Sequence, residues 1–198
     1  MDIQKFISNF PYDIILGSAS PRRQELLKSL GFNFSVKPMN VDEGQWPVNL
    51  QEHEICVYLA EQKAKAYTFS TEKELLITSD TIVWCNKKVY NKPADFEEGM
   101  TMLRELSGKM HVVYTAVCLK TQGKSKTFYD ASHVYFKNFD DNEIAFYLNT
   151  YKPYDKAGAY GVQDWLGFVG IEKIEGSFYN VMGLPVKKLW EELLLFTI

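Results

Sequence analysis

No stretch of this 198-residue chain approaches the run of about 18 apolar residues that a membrane-spanning helix needs, and Met1 opens a polar and aromatic segment with no cationic start. Neither a membrane span nor a signal peptide is expected. Cysteine is scarce: Cys56, Cys85 and Cys118 are odd in number and form no CxxC, so they read as buried free thiols in a reducing compartment. A cytoplasmic location follows as the expectation. There is no excess of basic charge, with 22 Lys and Arg against 25 Asp and Glu and a net charge of -3, which disfavours nucleic acid and anionic membrane as partners. Any anion bound must be met by a local cluster. G-x-G-x-x-G and G-x-x-x-x-G-K-[ST] are both missing, which disfavours Rossmann and P-loop phosphate binding. His53, His111 and His133 lie far apart without ligand spacing, and no Ser-His-Asp or His-Cys pattern accompanies them, so each reads as structural.

What is present is a chain with 46% hydrophobic and 15% aromatic residues, enough to close a sizeable core around many rings. Residues 1–198 show no repeat, low-complexity tract or linker, and one domain is expected. Ile14-Ile15-Leu16 reads as a buried strand ending at Gly17-Ser18. Ser20-Pro21 then places an N-cap serine before a proline, Leu26, Leu27 and Leu30 form a stripe, and Gly31 stops a helix over 21–30. A long loop with Pro38, Gly44 and Pro47 follows, with a strand near Phe34 to Val36, before a helical period from Glu52 to Phe69. Leu75 to Trp84 reads as a central strand interrupted by Thr78-Ser79-Asp80-Thr81. Asp95 and Glu98 form a capping box ahead of Met100, Leu103 and Leu106, with Gly108 as the stop. His111 to Lys120 and Lys126 to Lys137 predict a hairpin, and Asp140 to Asn149 a helix. Beyond a glycine-rich stretch from Lys156 to Gly170, Ile171 to Ile174 and Phe178 to Val181 predict a closing hairpin, and Pro185 starts a last helix. The pattern is that of an α/β protein with a mixed sheet and flanking helices, with two lobes on one core.

Four places in this pattern carry possible chemistry. Ser18-Ala19-Ser20-Pro21-Arg22-Arg23 crosses from a strand end into the first turn of a helix, where the macrodipole makes cations unfavourable. A polyphosphate there would reverse the penalty, because backbone N–H groups, the hydroxyls of Ser18 and Ser20, and the guanidinium forks of Arg22 and Arg23 would converge on it. The bland alternative is a solvated basic turn. Asp80 interrupts an apolar strand, which suits either a structural acceptor or a carboxylate that binds a metal or takes a proton from water. Asp42-Glu43 in the long loop is ordinarily solvated charge, although magnesium held by one or two carboxylates and substrate phosphates needs no more. Lys63 and Lys65 border the apolar stripe of their helix on opposite sides, and periodicity does not choose between them. Lys92-Pro93 suits a fixed cation or any surface loop.

Taken in order, Ser18-Ala19-Ser20-Pro21-Arg22-Arg23-Gln24-Glu25-Leu26-Leu27, Ser79-Asp80-Thr81-Ile82-Val83, Lys92-Pro93, Leu106-Ser107-Gly108-Lys109 with His111 and Thr115, Asp155-Lys156-Ala157-Gly158-Ala159-Tyr160-Gly161-Val162-Gln163, and Gly176-Ser177 with Asn180-Val181-Met182-Gly183-Leu184-Pro185 resemble the Maf family of nucleotide pyrophosphatases. The resemblance runs over nearly the whole chain. It implies an inosine triphosphatase-like α/β fold with a cleft between two lobes, a homodimer, and a nucleoside triphosphate as substrate. It also implies that Ser18, Arg22, Glu43, Lys63, Asp80, Lys92 and Gln163 line the site, with Asp80 as general base; a Mg²⁺ or Mn²⁺ held by phosphates and Glu43 is the metal expected there. On the same ground Lys63 is preferred to Lys65, and Arg23, Thr81 and Gln163 resemble the branch acting on dTTP and UTP. Asp164-Trp165-Leu166 departs from relatives that are smaller and glycine-rich there. A different class of reading is a nucleotide-sensing module without turnover, since the family is also linked to septum formation and division.

Overall fold

Apolar runs bounded by turn residues form strands, and the computed structural model, which describes residues 2–197, joins them into one seven-stranded sheet. A short helix α1 (Ile3–Ser8) precedes β1 (Asp13–Leu16), α2 (Pro21–Ser29) and β2 (Phe34–Val36). Helix α3 (His53–Lys65) leads to the long β3 (Glu74–Cys85), which turns through Asn86 and Lys87, both at positive φ, into β4 (Lys88–Tyr90). Helix α4 (Phe96–Leu106), the hairpin of β5 (Met110–Lys120) and β6 (Ser125–Phe136), and α5 (Asp141–Tyr151) follow. The chain closes with α6 (Trp165–Gly170), β7 (Ile171–Glu175), α7 (Phe178–Met182) and α8 (Val186–Phe196). The strand order is β2-β1-β3-β5-β6-β7, with β4 beside β3. β1 is parallel to β2 and β3, and the remaining pairs are antiparallel, so the sheet is mixed, as expected, and it is open.

Strand alternation sends the side chains of β3 to two faces. Leu76 and Ile82 pack with Ile55, Leu59 and Ala60 of α3 on one face. On the other, Leu75 and Ile77 meet Leu27 of α2 and Leu189 and Leu193 of α8, whereas Val83 and Cys85 meet Leu103 of α4 and Tyr147 of α5. Two apolar clusters thus share one sheet face. The residues of that face between them are polar: Ser79 and Thr81 on β3, and Thr115 on β5. This polar belt separates the two lobes, because neither cluster can extend across it without stripping its groups of hydrogen bonds.

The hairpin expected across Glu175-Gly176-Ser177 does not form. β7 pairs with β6 instead, and Phe178–Met182 is the helix α7. The local reason is a cap: Ser177 Oγ accepts from Asn180 N at 3.3 Å, and Gly183 ends the helix at a φ of 109° that other residues rarely adopt. The tertiary reason is Asn180, whose buried Nδ2 donates to Val113 O and Ser132 Oγ, both at 3.0 Å. α6 lies within the stretch read only as glycine-rich, and α1 was not anticipated. α3 ends at Lys65, short of Phe69, where Tyr67 and Phe69 pack edge to face against the same core. Among the described residues no helix is long and apolar enough to cross a membrane, and the three cysteines are buried and free.

His111 is structural, as read. Its ring lies buried on β5 against Phe136, and Nε2 shares a 2.8 Å hydrogen bond with Tyr160 Oη. Burial pushes its pKa down to about 3. The unfolded imidazole, near the ordinary 6.5, takes up a proton that the folded one refuses, so stability is lost as pH falls below that value. Between pH 7 and pH 5 this linkage amounts to about 2 kcal/mol. In urea titrations at both pH values, His111→Gln is expected to lose less stability on acidification than the wild type by about that amount. Equal losses in the two proteins would remove His111 as the cause.

Candidate active site

The site begins as a gap in the sheet. β1 pairs with the first part of β3, from Glu74 to Ile77, and β4 pairs with its end, from Val83 to Cys85. Between them this edge of β3 has no strand beside it. Ser79 O, a carbonyl left free by the departure of β1, accepts instead from Arg23 Nη1 at 2.8 Å and Lys63 Nζ at 3.3 Å. Two cations thus take over the role of a ladder partner, and a cleft of about 820 Å³ opens through the gap.

Asp80 points to the α3 face, where Lys63, buried on the last turns of α3, lies 2.6 Å from its Oδ1. The same ammonium is 2.7 Å from Glu43 Oε1, and Glu43 Oε2 is 2.6 Å from Lys92 Nζ. Carboxylates and ammonium groups alternate along this chain, so the deepest part of the cleft is close to neutral although every member is ionisable. Burial raises the pKa of Asp80 above its ordinary value, against the pull of Lys63 and Arg23. Glu43 is also partly desolvated, but Lys63 and Lys92 outweigh this and hold it down at about 2. Asp42 is not part of the chain; its carboxylate accepts from Gly44 N at 2.8 Å and shapes the loop.

The start of α2 forms the opposite wall. Ser20 is the N-cap residue but makes no side-chain cap bond, and Ser18 Oγ accepts from Ser20 N at 3.3 Å. The two arginines diverge. Arg22 reaches the cleft mouth and pairs with Asp155 at 2.9 Å. Arg23 turns inward, donating to Gly183 O at 2.8 Å, Ser79 O at 2.8 Å and Thr81 Oγ1 at 2.9 Å. Consecutive helical residues point about 100° apart, and the carbonyls of the polar belt engage the second guanidinium, although both arginines line the cleft. Thr81 continues the belt through Thr115 Oγ1 at 3.0 Å to Asn180 O at 2.9 Å.

Gln163 completes the lining, and its Oε1 is buried without a partner. The cleft brings together most of the candidates singled out by the sequence: Asp80, Lys63, Lys92 and Glu43 at one side, Ser18, Ser20, Arg22 and Arg23 at α2, and Thr81 with Gln163. Lys65 is exposed and does not line it. Asp155, Lys156 and Tyr160 were missed as lining residues; their only signal was membership of the Asp155 to Gln163 block. Among the described residues no group of three or more His, Cys, Asp and Glu could enclose a metal ion. Glu43 and Asp80 offer hard oxygen donors to the same cleft, which fits an Mg²⁺ or Mn²⁺ coordinated largely by phosphate oxygens.

The family model described as Maf-like protein matches residues 13–196. A Cytophaga hutchinsonii protein named dTTP/UTP pyrophosphatase is 50% identical over 181 residues, covering 91% of this chain and 83% of the relative. Proteins of the same name from Bacteroides fragilis, 50% identical over 184 residues, and Porphyromonas gingivalis, 46% identical over 185, each cover 92% of this chain and more than nine-tenths of the relative. With the match spanning the sheet, the gap and both walls of the cleft, this chain belongs to the Maf-like family.

Proposed function

We propose that this chain hydrolyses dTTP and UTP at the bond between the α and β phosphates, releasing the monophosphate and pyrophosphate. The observation that carries the reading is the Asp80–Lys63 pair set in the sheet gap, opposite a cation-bearing helix start and in one cleft with an unpartnered amide. Relatives at about half identity bear the name of that activity. The test is pyrophosphate release from a panel of canonical and modified triphosphates with Mg²⁺ or Mn²⁺. Binding without release from any of them would overturn the reading.

In this mechanism Lys63 holds Asp80 Oδ1, and Asp80 Oδ2 receives the proton of the attacking water. A carboxyl raised above its ordinary value is the stronger base for that step. Lys63, Lys92 and Arg22 stabilise negative charge on the departing pyrophosphate, while Ser18 and Ser20 orient the phosphates at the start of α2. Glu43 is the residue that would hold the divalent metal; when bound, the ion neutralises phosphate charge. Glu43→Gln is expected to shift the metal titration of activity to higher concentration, about tenfold or more, as the loss of one anionic ligand predicts. An unchanged titration would exclude Glu43 as ligand.

Gln163 reads the base. Its amide both donates and accepts, matching N3–H and O4 of uracil or thymine; cytosine presents the reverse pattern, to which an amide can flip, so rejection of CTP also relies on fixed neighbours, Thr81 or the backbone around Gly161. An unpaired buried polar group costs about 1 to 3 kcal/mol, so dTTP and UTP are expected to exceed CTP and purine triphosphates by about tenfold or more in kcat/KM. Gln163→Ala should erode that ratio more than it slows dTTP. Unchanged ratios in the variant would remove Gln163 as the reader. We also place the protein in the cytoplasm as a homodimer without nucleic-acid or membrane partners, a reading supported by the free thiols, the acidic net charge and the exposed apolar Phe146 and Phe168. Sedimentation of the pure protein tests the dimer.

A further inference from the structure

Asp164 stands at the N-cap of α6 but makes no side-chain bond to that helix. Its carboxylate turns away: Oδ2 accepts from Tyr147 Oη at 3.0 Å and lies 3.6 Å from Lys156 Nζ. Tyr147 is fully buried on α5, and its hydroxyl oxygen accepts from the backbone N–H of Gly161 at 3.0 Å. Burial and the adjacent Asp164 carboxylate raise the pKa of this phenol, which keeps its proton available for that carboxylate. Asp164 N donates back to Gly161 O at 3.1 Å, closing a ring over residues 161–164. The ring is tight, since a Cβ at Gly161 would clash with Asp164 Oδ2.

Gln163 sits inside this ring, with its buried Oε1 left for a ligand. None of the ring's hydrogen bonds involves Asp80, Lys63, Glu43 or Lys92. The hydroxyl of Tyr147, a core residue of α5, thus holds the segment that carries the amide, and the segment's tie to the phosphate side is the contact of Asp164 with Lys156, which pairs with Asp155, the partner of Arg22. We propose that Tyr147 and Asp164 are positioning residues for Gln163, fixing the ring so that the amide meets the pyrimidine edge and thereby setting base discrimination. The inference rests on the dTTP and UTP reading above. A purely structural brace would lower stability and slow all substrates alike. A positioning role weakens the preferred bases selectively, and the loss falls on KM.

The test measures kcat and KM for dTTP, UTP, CTP and GTP on the wild type and three variants, with thermal melts alongside. Tyr147→Phe keeps the ring that stacks on Tyr151 and removes the bridge. It is expected to lower the dTTP to CTP ratio of kcat/KM about fivefold or more, through KM, with kcat for dTTP within about threefold of wild type. Asp164→Ala, at a partly exposed position that caps nothing, should do the same without loss of the fold. Asp164→Asn retains an acceptor for the Tyr147 hydroxyl and should keep most of the ratio. Wild-type ratios in folded Tyr147→Phe and Asp164→Ala, or equal losses in kcat for every substrate, would overturn the inference alone. A wild type with no preference for dTTP and UTP would overturn both it and the reading on which it rests.

Discussion

Asp80→Asn is expected to lower kcat for dTTP by roughly 10² to 10⁴, the usual contribution of a positioned general base. The amide keeps the shape of the carboxylate and still offers an oxygen to Lys63 Nζ, which lies 2.6 Å from Oδ1 in the wild type and keeps Glu43 as its second partner. What disappears is basicity, so the melting temperature should change little while turnover collapses. The pH dependence has a definite sign. Burial puts the Asp80 pKa above the ordinary 3.8, and only the ionised form accepts a proton, so kcat/KM must rise with pH through that raised value and fall below it. Residual activity in Asp80→Asn should lack this acid limb. A folded variant with near-normal kcat would exclude Asp80 as the base. A normal KM with reduced kcat would separate its role from substrate binding.

Arg23→Ala is expected to cost stability before it costs chemistry. Its guanidinium donates to Gly183 O, Ser79 O and Thr81 Oγ1 in the belt between the two lobes; truncation removes these three bonds but leaves Ser79 O with Lys63, Thr81 Oγ1 with Thr115 and Gly183 O with Ser79 Oγ, so the loss totals about 2 to 4 kcal/mol. For a chain of this size that lowers the melting temperature by about 4 to 16 °C. Arg23→Lys keeps the charge but one ammonium cannot span three acceptors in a fork geometry, so an intermediate loss follows. Arg22→Ala is the contrast: its partner Asp155 is mostly solvent-exposed, and the variant should raise KM with little change in melting. If Arg23→Ala melts like the wild type, the brace is not structural.

These contrasts show where sequence reading ends. Caps, periodicity and turn residues are local, and they determined most elements by themselves: α2 after Ser20-Pro21, α4 after Asp95, whose side chain accepts from Glu98 N, α5 from its helical period, and the β5 and β6 hairpin. Asp80 was legible because a carboxylate inside an apolar strand is costly without a partner, and the ordered motifs carried the family. Which partner, however, is a question of three dimensions. Lys63 and Lys65 border the same stripe, and only the docking of α3 on β3 brings Lys63 to Asp80 and leaves Lys65 in solvent. Arg22 and Arg23 are adjacent identical residues, divided by a sheet gap that exists because β1 ends before β4 begins. α7 read as a strand because its aromatic and branched residues favour one locally, whereas the buried Asn180 bonds to β5 and β6 that hold it as a helix come from residues 48 to 67 positions away. The sequence by itself determined which groups carry chemistry and which short segments are regular; the tertiary structure alone decided which of those groups face the cleft and which are consumed in holding it open, because burial and hydrogen-bond satisfaction are settled by distant parts of the chain.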